Sequence, residues 1–135
     1  LAIGELVAGM VEERLKLPKN KDYIARREGI VRPGQMSMEE RDAWIRKNPA
    51  YGNIICRCEM VSEGEIIDAI HRPLGARTMD GIKRRTRAGM GRCQSGFCSP
   101  KVMEILAREW NMDLLEVRKA SDESWMLKGR DKEEL

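Results

Sequence analysis

The four cysteines of this chain stand in two close pairs, and this arrangement restricts what the sequence around them can build. One residue separates Cys56 from Cys58, four residues separate Cys93 from Cys98, and 34 residues lie between the two pairs. A disulfide between Cys56 and Cys58 would close a ring too small for relaxed disulfide geometry. The second pair lies in the polar, glycine-containing stretch "GRCQSGFCS", which does not suit thiols buried in an apolar core. The spacing therefore predicts a metal site that takes thiolates from two separate loops.

Two kinds of centre use four thiolates, and the residues leave both open. Structural zinc typically takes its ligands from pairs spaced by two to four residues, so the C-x-C pair suits zinc less well. A [2Fe-2S] cluster spreads its ligands over two irons, so two unequal pairs suit it better. A redox-active dithiol is disfavoured because neither pair has the C-x-x-C spacing. The only histidine, His71, is expected in the last turn of a helix, where it would interact with the helix dipole instead of binding metal.

Composition indicates a helix-rich domain with a modest core. Charged residues make up 35% of the 135 residues, aromatic residues make up 4%, and the formal net charge is +3. With so few aromatic residues and so little net charge, we do not expect a nucleic-acid partner, although the helix after Thr78 is basic. No transmembrane segment or signal peptide is visible, which together with the thiols predicts a reducing, cytoplasmic location. The chain begins at Leu1 inside an apolar pattern, so we expect it to be part of a longer protein.

Helical periodicity and capping residues predict a mainly α fold whose loops carry the cysteines. An amphipathic helix is expected at the start of the chain, ended by Pro18. Four further helices are predicted to begin at capping residues: Ser37, Ser62, Thr78 and Ser99. The first two have a glutamate three residues on, as in a capping box, and the last is followed by proline.

Residues close to the cysteines are predicted to adjust the properties of a bound cluster. Each cysteine pair lies just before a predicted helix start, where unpaired amides and the positive end of the helix dipole favour negative charge. Glycines in the second loop would let the backbone come close to the sulfur atoms. Arginines next to a cysteine of each pair would favour the reduced form of the cluster. The predicted tuning residues are Arg57, Gly91, Arg92, Gly96 and Ser99.

The segments "ICRCEMVSEGEI" and "KRRTRAGMGRCQSGFCSP" resemble the BFD-like [2Fe-2S]-binding domain, the family of bacterioferritin-associated ferredoxin. The version they resemble most is found at the C-terminus of FAD-dependent glycerol-3-phosphate dehydrogenases and related flavin oxidoreductases. The small ferredoxin ends its motif in C-x2-C, whereas this chain has C-x4-C, as in the dehydrogenase-type relatives. The resemblance implies a small helical domain with a helix-turn-helix-like arrangement, in which Cys56, Cys58, Cys93 and Cys98 bind the cluster.

The resemblance also implies a division of the chain and a role for it. Residues 1–18 would be a helix at the end of a flavin-binding domain, 19–52 a linker with a short helix, 53–120 the cluster domain and 121–135 a C-terminal tail. The cluster would accept electrons from FAD bound elsewhere in the parent enzyme and pass them to an unidentified acceptor. The piece would not be a complete catalyst by itself. The alternative is a structural or redox-sensing site, with zinc or a cluster, that transfers no electrons.

Overall fold

The computed structural model describes residues 1–131 as five α-helices and one short β-hairpin, and the prediction of a mainly α fold is confirmed. The α-helices are α1 (Ala2–Leu15), α2 (Met38–Lys47), α3 (Glu63–His71), α4 (Met79–Thr86) and α5 (Ser99–Trp110). The hairpin pairs β1 (Ile54–Cys56) with β2 (Val61–Ser62) in antiparallel register. Short 3₁₀ turns occur at Pro33–Gln35, Pro49–Gly52 and Leu114–Glu116. None of the described helices is long and apolar enough to cross a membrane.

One of the cysteines lies on a strand, so the expectation that loops carry all four is wrong for Cys56. Two isoleucines precede Cys56, and β-branched residues favour a strand that is buried on its inner face. Ile54 pairs with Ser62 and Cys56 with Val61, with an irregularity of register between the two pairs. This short pairing places Cys56 in the core, where it is only 1% exposed.

Local hydrogen bonds fix the starts of α2, α3 and α4 as the sequence predicts. Ser37 and Ser62 each accept a hydrogen bond from the amide three residues on, and the glutamate at that position bonds back to the serine amide. Thr78 Oγ1 accepts from the amide of Gly81 at 3.0 Å. These contacts satisfy amide groups that a helix N-terminus leaves without partners.

The start of α5 differs from the prediction, because Cys98 and not Ser99 is its N-cap residue. The backbone already turns before the helix: Cys98 has right-handed helical torsion angles, and the amide of Ser99 donates to Ser95 O at 3.1 Å. Ser99 is therefore the first helical residue, and the N-cap residue Cys98 makes no capping hydrogen bond with its side chain. The helix α1 also ends earlier than predicted, at Leu15, and α4 ends at Thr86; each is followed by a residue in the left-handed conformation.

The core lies between α3, α4 and α5. Its fully buried side chains come from each of these helices and from the chain after α5; the largest are Ile66, Ile70, Ile82, Leu106 and Val117. Cys56 and Cys98 belong to the same buried set. In contrast, α1 has no buried residue, and its apolar side chains are exposed. The compact part of the structure is therefore the region that carries the cysteines.

The chain after α5 folds back onto this core. Arg118 and Trp125 form an antiparallel bridge, and the amide of Lys119 donates to Ser124 O at 2.7 Å. The carbonyls of Arg118 and Lys119 accept from the first two amides of α4, at 3.1 and 2.8 Å. We call residues 117–126 the C-terminal hairpin. Residues 132–135, the end of the predicted tail, lie outside the described part of the chain.

Candidate metal centre

All four cysteines line one cavity of about 430 Å³. The hairpin β1–β2 contributes Cys56 and Cys58, and the turn that leads into α5 contributes Cys93 and Cys98. The remaining lining residues are Ile54, Ile55, Arg57, Phe97 and Lys101. The two motifs, which are 34 residues apart in the sequence, therefore meet at one site.

Within this cavity the thiols pair across the two motifs. Cys58 is the thiol that acts on the pKa of Cys93, and Cys56 is the thiol that acts most on the pKa of Cys98, to which Cys93 also contributes. Within residues 1–131, no three histidine, cysteine, aspartate or glutamate side chains stand close enough together to hold a single metal ion. Two neighbouring pairs of thiols suit two irons with two protein ligands each, as in a [2Fe-2S] cluster, better than one tetrahedral zinc ion.

The two pairs have different surroundings. Cys58 is exposed and Cys93 partly exposed, whereas Cys56 and Cys98 are buried. The pKa of Cys93 is lowered, mainly by the backbone amide of Phe97 and then by the Cys58 side chain. The pKa of Cys98 is raised to about 11, first by burial and then by the nearby Cys56. A buried thiol of this kind keeps its proton until a metal cation takes the proton's place.

Amide donors near Cys93 come from its own loop. The backbone amides of Ser95 and Gly96 act on its sulfur in the same direction as that of Phe97. Amides at the N-terminus of α3 were also expected to stabilise negative charge at a cysteine, but two of them donate to other acceptors. Glu63 N donates to Asn53 O at 2.8 Å, and Glu65 N donates to Ser62 Oγ at 3.3 Å. Among the helices of residues 1–131, α5 is the one that begins directly next to a cysteine.

Gly91 lets the two cysteine-bearing segments approach each other. A Cβ atom built on Gly91 would overlap the Cβ of Cys58, well inside van der Waals contact. At Gly96 the added atom would lie 3.1 Å from the carbonyl oxygen of Cys93, which is tight but not an overlap. Of the two predicted glycines, Gly91 therefore has the stricter steric reason to be glycine.

The predicted arginines lie in different places. Arg57 lines the cavity, whereas Arg92 is exposed and is not one of the lining residues. The second positive charge at the cavity comes instead from Lys101, which is not among the predicted tuning residues. Its position three residues after Cys98 on α5 was the available signal, since residues three apart lie on one face of a helix.

A further contact fixes the loop between the two strands. Arg87 Nε donates to Glu59 Oε2 at 2.7 Å, and Glu59 directly follows Cys58. Arg87 has a left-handed backbone, with φ of 71°, at the end of α4. The sequence gives no sign of this pair, because the two residues are 28 positions apart. The ion pair ties the first cysteine motif to α4.

Other charged groups near the site have partners within the fold. Arg85 donates to the carbonyls of Gly81 and Leu74, and Arg84 pairs with Asp80 at 3.7 Å. His71 lies in the last turn of α3, as predicted, and its Nε2 is 2.6 Å from Glu109 Oε2. Much of the basic surface of α4 is thus used inside the domain.

Four thiols that pair two by two around one cavity, with amide donors at one of them, define a site of the iron–sulfur type on a small helical domain. Residues 54–108 match the family model of the BFD-like [2Fe-2S] binding domain, and this part of the chain belongs to that family. The predicted resemblance is therefore confirmed. The match covers all four cysteines.

The curated relatives are all longer than this chain. The chain is 48% identical over 120 residues to a glycerol 3-phosphate dehydrogenase of Caloramator mitchellensis, covering 89% of this chain and 25% of the relative. It is 34% identical over 98 residues to the HcnB component of the hydrogen cyanide synthase of Pseudomonas aeruginosa, covering 68% of this chain and 21% of the relative. It is 33% identical over 66 residues to one component of the anaerobic glycerol-3-phosphate dehydrogenase of Escherichia coli, covering 49% and 12%. The chain thus spans a quarter or less of the length of these relatives, and no solved structure matches it.

Proposed function

We propose that Cys56, Cys58, Cys93 and Cys98 bind a [2Fe-2S] cluster that transfers electrons between a flavin-binding domain of the same longer chain and a further acceptor. The observation that carries this proposal is the pairing of the thiols around one cavity, in a domain whose family binds [2Fe-2S] clusters. Such a cluster, when bound, supplies a centre that takes up and releases one electron at a time. The residues around it decide how readily it does so.

Side chains and backbone amides of the site both affect how readily a bound cluster takes up an electron. The amides of Ser95, Gly96 and Phe97 lower the pKa of Cys93 and so stabilise negative charge there. Arg57 and Lys101 add positive charge at the cavity wall, which favours the more negative, reduced form. These groups raise the reduction potential compared with a site of the same thiolates without them.

The exposed edge of the site supports an electron-transfer role. Cys58 is exposed, and the neighbouring Phe97 side chain is 86% exposed at the rim of the cavity. An electron can therefore leave or enter at this edge without any opening of the fold. The opposite side, at Cys56 and Cys98, is closed to solvent.

The flavin-binding partner is proposed from the relatives and from α1. Two of the relatives are glycerol-3-phosphate dehydrogenases, and in our proposal a substrate of that kind reduces the flavin of the parent protein. The apolar residues of α1 have no partner within the described part of the chain: Ile3 is 78% exposed, Leu6 66% and Met10 62%. We assign this helix to the contact with the flavin-binding domain, because exposed apolar patches of this kind mark interaction sites.

The alternative is a zinc or cluster site that only stabilises the fold or senses oxidation. It has one observation in its favour: the site joins the end of β1 to the start of α5, so any metal bound there would stabilise the domain. Zinc is the metal usually found in such a role, but the paired thiols suit a single ion less well.

Visible absorption of anaerobically prepared protein, with iron, sulfide and zinc measured on the same sample, separates the two. The proposal predicts two irons and two sulfides per chain, and bands that bleach reversibly with dithionite. A colourless protein that holds one zinc even after cluster reconstitution contradicts it. The role in electron transfer is then tested by expressing the segment together with its flavin-binding domain. Addition of glycerol 3-phosphate should produce the electron paramagnetic resonance signal of a reduced cluster.

A further inference from the structure

A second cavity, of about 270 Å³, adjoins the candidate metal centre. Cys98 lines both this cavity and the cysteine cavity, so it stands between them. The second cavity is lined on one side by polar groups of the cysteine loop and α5, among them Ser95 and Ser99. Met79, Lys119 and Met126 line it from α4 and from the C-terminal hairpin. The solvent exposure of Cys98, now 3%, therefore depends on residues far from it in the sequence.

The C-terminal hairpin is held firmly over this cavity. Its two arms are joined by the bridge between Arg118 and Trp125, and the Arg118 guanidinium lies 3.0 Å from the centre of the Trp125 ring. The hairpin is fastened to the first turn of α4 by two backbone hydrogen bonds and by the ion pair of Lys119 with Asp80. Val117 at its base is fully buried, and Met126 at its end packs against the core that contains Cys98.

This hairpin lies outside the part of the chain that defines the family, since the family match ends at residue 108. The ligand set and the loops that carry it are therefore complete before the hairpin begins. Lys119 and Met126 of the hairpin nevertheless line a cavity that Cys98 also lines. A segment so placed can change the surroundings of the site without providing a ligand.

We propose that Met126 is a positioning residue of the metal centre: it closes the second cavity and keeps water from the Cys98 side of the cluster. This inference rests on the proposed function, because it concerns a bound cluster. Burial disfavours the more highly charged of two states, and the reduced cluster carries one more negative charge than the oxidised one. Shielding by Met126 thus lowers the reduction potential and opposes the effect of Arg57 and Lys101.

The test compares variants of the cluster-loaded protein by spectroelectrochemical titration. Met126→Ala opens the cavity and should shift the midpoint potential in the positive direction. Met126→Gln, which keeps the length of the side chain but brings N–H donors to the cavity, should shift it the same way and serves if the alanine variant does not hold a cluster. Met126→Leu, which keeps apolar volume, should leave the potential unchanged. Leu127→Ala, at the next residue but outside the cavity, is the position control.

General destabilisation must be separated from loss of shielding. Val117→Ala removes buried volume from the same hairpin without touching the cavity. Bleaching of the cluster by a chelator should become faster in both Val117→Ala and Met126→Ala, by about tenfold for about 1.4 kcal/mol of lost local packing. Only the Met126 variants should also shift the potential.

Two outcomes overturn the proposal and remain distinct from failure of the proposed function. An unchanged potential in Met126→Ala and Met126→Gln would show that the methionine only stabilises the fold. An equal shift in Val117→Ala would show that loosening of the hairpin as such is the cause. If the wild-type protein forms no reducible cluster at all, the proposed function itself fails.

Discussion

Replacing Gly91 by alanine would add a methyl group that overlaps the Cβ of Cys58. The φ of Gly91 is not in the left-handed region, so the cost comes from the overlap and not from the backbone conformation. The neighbouring atom is the first side-chain carbon of a cysteine, close to the backbone, and it cannot rotate away. The two cysteine-bearing segments must therefore move apart to accept the methyl group.

The magnitude follows from the behaviour of overpacked sites. Inserting a methyl group into a well-packed contact typically costs about 1 to 3 kcal/mol. Since about 1.4 kcal/mol corresponds to a factor of ten, the closed arrangement of the four thiols should be disfavoured by roughly 5- to 150-fold. Because Cys58 and Cys93 form one of the two thiol pairs, the Gly91→Ala protein should retain less cluster as well as unfold more easily.

The assay measures iron and sulfide per chain after anaerobic reconstitution, and the midpoint of urea unfolding of the same samples. Gly129→Ala is the matched control, because a Cβ atom there would meet nothing within 4 Å. Gly96→Ala should give an intermediate result, since its closest contact would be 3.1 Å. Full cluster content and an unchanged unfolding midpoint in Gly91→Ala would refute the argument that this glycine sets the spacing of the two motifs.

Three further predictions concern single side chains. Arg57→Gln should lower the reduction potential by about 40 mV, the equivalent of about 1 kcal/mol for one charge near the cavity. Arg92→Gln, at a residue outside the cavity lining, should change the potential much less. Equal shifts of the two variants in a spectroelectrochemical titration would contradict the placement of the two arginines. Cys98→Ala should lose the visible bands of the cluster, and a normal spectrum would remove this cysteine from the ligand set. The pKa of Glu109 is lowered, mainly by its hydrogen bond with His71. The ionised carboxylate therefore stabilises the fold at pH values above its ordinary pKa of 4.5, and this stabilisation is lost as the pH falls through the lowered pKa of the folded state. Glu109→Gln should therefore lower the melting temperature at pH 7, and by progressively less as the pH is taken below 4.5, whereas a loss of equal size at every pH would point to packing instead.

Features governed by neighbouring residues could be predicted from the sequence. The capping boxes at Ser37 and Ser62 open helices as predicted, because the serine and the glutamate three residues later contact each other across a single turn. The four-cysteine motif and its family could also be identified, because the spacing of the cysteines and the residues around them are local properties. A mainly α fold followed from the same periodicity.

Local rules were insufficient where another part of the chain imposed its own geometry. Serine is a common N-cap residue, but the turn through residues 95–98 places Cys98 and not Ser99 at the N-cap position of α5. Arg92 is next to a cysteine in the sequence but not at the cavity, while Lys101 reaches the cavity because α5 turns that face toward it. Neighbours in a sequence share a loop, but the direction of a side chain depends on the backbone of the whole segment.

The sequence alone thus determined that this chain brings two thiol pairs into a small helical domain, and to which family that domain belongs. The tertiary structure decided which thiols lie near each other, that Glu59 is tied to Arg87, and that the C-terminal hairpin and Cys98 line one cavity. The physical reason is the range of the forces involved. Capping hydrogen bonds and helical periodicity act within a few residues, whereas burial and packing act between segments that meet only when the chain has folded.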